Sequence, residues 1–260
     1  VTDDNGKDWD NSEYLAVITQ RGSVKFEDLQ PVDQYIMVLL DETAEKVINS
    51  YMHYDYLAVS GALMNLMTNE LSSYYLDFAK DILYIEKKDD PRRRQVQSVI
   101  YTAVDTLCKL WAPSLVFTME EVWNEFGSTE AESVHYTHFP TINHYPNAAT
   151  IKEQFNQLNT IRSEALKALE VARADKIIGK PLEAKLVINC TNEDKELMES
   201  LTCGKVAQFL IVSEVEFKDA AERSVVVEKA EGMVCPRCWN ISKEHAEDGL
   251  CVRCQKVIKA

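Results

Sequence analysis

With 260 residues the chain can form one large or two modest domains plus a short appendage. Hydrophobic residues make up 46% of it and glycine and proline are few, 8 and 7, which fits a soluble helix-rich globular protein. It excludes a membrane-spanning one, since no apolar run approaches the ~20 residues a bilayer requires. The formal charge of −14 argues against broad contact with a polyanion. The acidity is concentrated in residues 1–150, however, and residues 232–260 carry a slight positive excess, so any nucleic-acid contact must be a local patch.

Residues 1–30 mix Asp, Asn, Gly and Lys and read as an incoming linker, with a short strand expected at Tyr14–Ile18. From Pro31 the apolar residues Tyr35, Ile36, Leu39, Leu40, Ala44, Val47 and Ile48 recur at three and four, which predicts a first helix with Asp33 in its opening turn. A second helix of about six turns is expected from Tyr56 to Phe78, capped by Asp55. Pro91 suits the first turn of a third helix because its missing N–H would have no helical partner there. That helix carries Val96, Val99, Ile100, Ala103, Val104, Leu107, Leu110 and Trp111 and stops near Pro113. A fourth holds Leu115, Val116, Met119, Val122, Trp123 and Phe126, with Gly127 as its end. Four amphipathic helices with short connections predict an antiparallel bundle over residues 31–149.

Three of the five histidines, His135, His138 and His144, fall in the loop region that follows, at spacings that match no common ligand pattern. Residues 150–231 are expected to hold one long helix, Ile151 to Ala174, and then a small α/β unit. Its strands are expected near Ala184–Ile188, Phe209–Glu216 and Ser224–Val227, with a helix at Asn192–Leu201. The fold class is thus mainly α: a helical bundle, a small α/β unit, and a zinc-ribbon-like tail at 232–260.

The tail carries the strongest chemical signal. Cys235-Pro-Arg-Cys238 and Cys251-Val-Arg-Cys254 form two Cys-x-x-Cys turns, and twelve residues separate Cys238 from Cys251. Such turns place four thiolates around one tetrahedral Zn²⁺, and a shell filled by sulfur leaves no position for water or substrate, so one structural zinc is expected. His245 is expected to be a solvated loop residue, and Cys108, Cys190 and Cys203 buried thiols. The thiol usage points to a reducing, cytoplasmic setting. Zinc held by four thiolates carries two negative charges, which brings the tail close to neutral.

Two features suit RNA. Trp239 follows the second cysteine in a segment too small to bury it, and Arg237 and Arg253 sit inside the two turns, able to donate to phosphates. Arg92, Arg93 and Arg94 form the densest basic run and open the third helix, where cations oppose the helix dipole and invite an anionic partner. Glu120 and Glu121 are not an acid–base pair, because neighbours on a helix diverge by about 100°; they read as first-turn residues. Trp111, Trp123, Tyr74 and Tyr75 read as core.

Taken together, several segments resemble the C-terminal part of bacterial isoleucyl-tRNA synthetases. They are Tyr75-Leu76-Asp77, Lys80-Asp81-Ile82-Leu83-Tyr84, Arg93-Arg94, Leu110-Trp111-Ala112-Pro113, Phe117-Thr118-Met119-Glu120-Glu121-Val122-Trp123, Ile178-Gly179-Lys180-Pro181-Leu182-Glu183-Ala184-Lys185, Ile211-Val212-Ser213 and the four-cysteine tail. The likeness runs from about Glu27 to Lys259. Residues 1–23 fall outside it, and Ile82 stands where many relatives have Arg. The resemblance implies a bundle of the class I synthetase anticodon-binding type and tRNA-isoleucine as partner, held by the anticodon arm with the tail, Trp239 included, on the RNA. It also implies a monomer. The ATP-binding signatures His-Ile-Gly-His and Lys-Met-Ser-Lys-Ser are absent from the 260 residues, so no catalytic residue is expected. The resemblance then implies ligase chemistry in a catalytic domain of the same polypeptide. The alternative is a zinc-stabilised docking module that makes no RNA contact.

Overall fold

A computed structural model describes residues 24–128 and 130–259. The strand expected at Tyr14–Ile18 lies outside them. The chain packs into two compact units, the first formed by the described part of Val1–Leu29 with Ile36–Ser73 and Lys88–Tyr145, the second by Gln30–Tyr35, Tyr74–Lys87 and Pro146 onward.

Helices α1 (Pro31–Met52) and α2 (Tyr56–Asn65) begin where the sequence places them, with Asp33 in the first turn of α1 and the Asp55 carboxylate accepting from the Ala58 N–H at 3.0 Å. The expected single helix then changes winding. Leu66–Tyr75 is π-helical before α3 (Leu76–Ile85) resumes the α form. The cause is visible in the buried positions: Val59, Leu63 and Leu66 are followed by Leu71, Tyr75 and Phe78, and the step of five at Leu66–Leu71 stays on one face only if the turn widens. The Ser73 hydroxyl donates to the Thr68 carbonyl, five residues back, at 2.8 Å.

In the first unit, α4 (Pro91–Trp111) starts with Pro91 in its first turn and α5 (Val116–Phe126) ends at Gly127 in the left-handed conformation, as the sequence predicts, and the structure adds Asp90 as the N-cap of α4. Two apolar clusters form its core. Ala44, Val47, Val59, Leu63, Leu110 and Trp111 join α1, α2 and α4. Tyr101, Cys108, Ala112, Trp123, Phe126 and Val134 join α4, α5 and the loop beyond. Glu120 lies beyond the first turn of α5, contrary to expectation, and accepts from the Ser133 hydroxyl and the Val134 N–H, which ties that loop down. Lys109 is buried between Asp105 at 2.9 Å and Glu130 at 2.7 Å.

The second unit is built on the long helix α6 (Ala148–Ala174) and a three-stranded sheet. Strand β1 (Ala184–Cys190) is central, parallel to β2 (Glu214–Asp219) and antiparallel to β3 (Ser224–Lys229). Ala184, Leu186, Ile188 and Cys190 alternate on the buried face, and α6 contributes Phe155, Leu158, Ile161 and Ala165 to the core. Between β1 and β2 lie α7 (Asn192–Leu201) and a short α8 (Val206–Leu210). The strand expected at Phe209–Glu216 therefore begins only at Glu214. Phe209 and Leu210 belong to α8, which ends at Ile211 in the left-handed region with φ 57°. Their burial comes from tertiary packing, with Phe209 against Tyr74 and Phe78 and beneath the Arg162 guanidinium. Cys203, expected to be buried, is exposed in the turn between the two helices.

Candidate metal centre and nucleic-acid interface

The tail opens at Gly232, whose φ of 127° suits glycine alone; a Cβ there would meet the Ser242 carbonyl oxygen at 2.1 Å. This close approach lets β4 (Met233–Val234) pair with β5 (Ile241–Ser242), and the hairpin carries the first cysteine turn at its tip. The turn is locked by the Cys235 N–H donating to the Asn240 carbonyl and the Trp239 N–H donating to the Cys235 carbonyl. The second cysteine turn leads into α9 (Val252–Lys259), with Cys254 in its first turn.

Among the described residues, the ligand atoms of Cys235, Cys238, Cys251 and Cys254 lie within 4.8 Å of one another, and all four side chains are buried. The Cys238 and Cys251 sulfurs are 3.6 Å apart, too far for a disulfide. Tetrahedral Zn–S bonds of about 2.3 Å put sulfurs about 3.8 Å apart, so the group can hold such a metal. Burial raises the Cys235 thiol, but N–H groups of Cys251, Cys238 and Arg237 directed at its sulfur outweigh that and lower it to about 6. Burial pushes the Cys238 and Cys254 thiols up. Four buried sulfurs, one already favoured as thiolate, are the donor set a thiophilic cation completes.

The other tail candidates are placed as follows. Trp239 is 69% exposed and held at φ 61°. Arg237 turns inward: its Nη2 donates to the carbonyl of Ile85, the last residue of α3, at 2.7 Å, while its Nη1 is shielded from solvent without a hydrogen-bond partner among the described residues. A cation there satisfies a carbonyl that the helix leaves without a partner and complements the negative end of its dipole. Arg253 is half-buried and also reaches protein partners. Its Nη2 lies 2.6 Å from Glu86 Oε1 and 2.7 Å from Asp81 Oδ2, and Nε bonds the same Glu86 oxygen. Burial opposes the Arg253 charge, and the two carboxylates outweigh it and raise its pKa. His245 departs from the expectation of a solvated residue: both ring nitrogens are shielded from solvent without a partner, and its backbone bridges to Cys251.

Arg92, Arg93 and Arg94 belong to the first unit, not the tail's. Arg92 is 9% exposed and its Nη1 donates to Gln95; the Arg94 Nη1 donates to Gln97. The N–H groups of Arg92 and Arg93 are taken by the Asp90 cap. Ile82 is buried in the helix core.

Sequence reasoning missed a groove of about 710 Å³ in the second unit. Trp239 lines it together with Tyr84, Phe78, Ile241, Lys80 and Lys205. Tyr84 is 77% exposed, and both lysines are exposed as well. The groove brings two aromatic side chains together with Lys205, the acids Asp77 and Asp81, and Lys80, which pairs with Asp77 at 3.3 Å, so it offers stacking faces for an unstacked base and a cation for its phosphate. Only the Lys80 to Tyr84 run, on one face of α3 at a spacing of four, hinted at it.

The family described as the anticodon-binding domain of tRNA ligase matches residues 33–188. The isoleucine–tRNA ligase of Bacillus licheniformis is 40% identical over 254 residues, 92% of this chain and 27% of that protein. That of Bacillus subtilis is 41% identical over 232 residues, covering 85% and 25%. That of Exiguobacterium sibiricum is 40% identical over 247 residues, covering 91% and 27%. The chain spans about a quarter of the length of these curated relatives. With the match extending through the helical bundle and the long helix and into β1, the chain belongs to the family of anticodon-binding domains of tRNA ligases.

Proposed function

We propose that this chain is the tRNA-binding part of an isoleucine–tRNA ligase. It holds the anticodon arm of tRNA-isoleucine and orients the acceptor end toward a catalytic domain of the same polypeptide, acting as a cytoplasmic monomer. The observation that carries the RNA reading is Trp239, a large aromatic kept in the left-handed conformation and in solvent at the edge of a groove with Tyr84, Lys80 and Lys205. A hydrophobic side chain presented in that way has a face for a base to stack on.

We assign one structural Zn²⁺ to Cys235, Cys238, Cys251 and Cys254. It would supply the order of the tail and no chemistry, since the four sulfurs close its shell. In this reading Arg93 and Arg94 add a second basic patch for the RNA backbone, while the buried Arg92 serves the start of α4.

The docking-module alternative draws on Arg237 and Arg253, which reach protein acceptors at the end of α3: the Ile85 carbonyl for Arg237, and Asp81 and Glu86 for Arg253. Filter binding with tRNA-isoleucine and a mismatched tRNA across a salt series separates the two readings. The RNA reading expects preference for tRNA-isoleucine and dependence on Trp239; absence of binding by the metal-loaded chain leaves the docking module.

A further inference from the structure

The Asp81 carboxylate is a meeting point that neither the motif nor the family assigns. Its Oδ2 accepts from the Gln208 side chain of α8 and lies 2.7 Å from Arg253 Nη2 of α9. Glu86, one residue beyond α3, takes the same guanidinium at 2.6 Å, and Arg237 reaches the Ile85 carbonyl between them. Ile85 itself packs against Cys235, Cys238, Cys251 and Cys254. The end of α3 therefore grips the tail by an apolar plug, a capped carbonyl and a two-carboxylate ion pair. Asp81, Gln208, Arg237 and Arg253 all line the groove that Trp239 borders.

We propose that Asp81 and Glu86 are positioning residues: through Arg253 they clasp the metal-binding tail to α3 and so set the spacing of Trp239 from Tyr84 across the RNA groove. The inference rests on the RNA reading for its consequence and on the contacts alone for the clasp. Arg253 is thereby a tie, not a phosphate contact. The two roles predict opposite signs when the acids are neutralised. Neutralising Asp81 and Glu86 removes two negative charges beside the groove and releases a cation, so an Arg253 that serves phosphate would bind RNA more tightly. An Arg253 that serves the clasp would leave the tail loose and bind more weakly.

The test uses the full chain loaded with zinc and the double variant Asp81→Asn/Glu86→Gln, with Arg253→Lys as a milder second variant that keeps the charge but loses the fork. Hydrogen exchange of residues 232–259 reads the clasp without RNA. We expect exchange about tenfold faster in the double variant, with one zinc retained and residues 91–111 unaffected. Affinity for an anticodon stem–loop RNA of tRNA-isoleucine sequence falls about tenfold with the salt slope unchanged. Unaltered exchange in both variants overturns the clasp, and tighter RNA binding by the double variant overturns the positioning role. Failure of the parent to bind the stem–loop refutes the RNA reading and with it the positioning role, while the exchange result still decides the clasp.

Discussion

In the first unit, Trp123, Tyr101 and Phe126 are buried together with Cys108, Ala112 and Val134, and the Trp123 indole N–H donates to the Ala131 carbonyl at 3.0 Å. Among the described residues of 232–259, the buried side chains are the four cysteines alone. One region is held by apolar area spread over many side chains, the other by four sulfurs at a single point, plugged by Ile85 and tied to the end of α3 by Arg237 and Arg253. The tail is too short to build an ordinary core, and a chain of that size needs a staple. The apolar bundle can lose a side chain and remain folded, whereas the tail depends on one centre and can leave its aromatic in solvent.

The largest expected effect on this comparison is removal of the zinc assigned above to the four cysteines. A structural zinc contributes about 10–16 kcal/mol of apparent folding free energy in small peptides, so chelation should release four reactive thiols and unfold residues 232–259 while the helices persist. Thiol titration together with far-ultraviolet circular dichroism checks both halves of the claim. Loss of the helical signal in step with the metal would erase the distinction.

Truncating the bundle core is the converse. Trp123→Ala should cost about 3–5 kcal/mol of stability in the first unit. Metal analysis should still give one zinc per chain, and denaturant unfolding gives the size of the loss. Gly232→Ala should be smaller, about 1–3 kcal/mol, because it forces a side chain into φ 127° against the Ser242 carbonyl. Zinc competition with a chromophoric chelator reads it as weaker metal retention, with the bundle unchanged. The mildest effect on the fold belongs to Trp239→Ala, which should leave stability and zinc alone and weaken tRNA-isoleucine binding by about 1–3 kcal/mol. Equal binding by parent and variant would make Trp239 a packing residue.

What the sequence reveals of this molecule follows the range of the interactions involved. The starts of α2 and α4 and the end of α5 are local events, settled by Asp55, Pro91 and Gly127 within a few residues, and each is where its residue type predicts. The four cysteines are legible for the same reason, since each turn is a four-residue unit. The π-helical stretch hides in a single five-residue step at Leu66–Leu71, inside what is otherwise an amphipathic helix. The apolar run Phe209-Leu210-Ile211-Val212 suits a strand by composition, and only the packing of Phe209 on Tyr74 and Phe78 makes its first half helical. The protein contacts of Arg237 and Arg253 are not legible in the sequence because their partners, Ile85 and Glu86, lie 152 and 167 residues away. Nothing near either arginine in the sequence shows an acceptor.

The central claim is that the metal centre exists to hold Trp239 where RNA can use it. It is tested most directly by titrating an anticodon stem–loop of tRNA-isoleucine into four samples: parent and Trp239→Ala, each with zinc and after chelation. The account predicts that the parent binds more tightly than Trp239→Ala only when zinc is present, and that chelation brings the two to the same weaker affinity, a coupling between metal and tryptophan. A Trp239 effect of equal size with and without zinc, or none in either state, would contradict it.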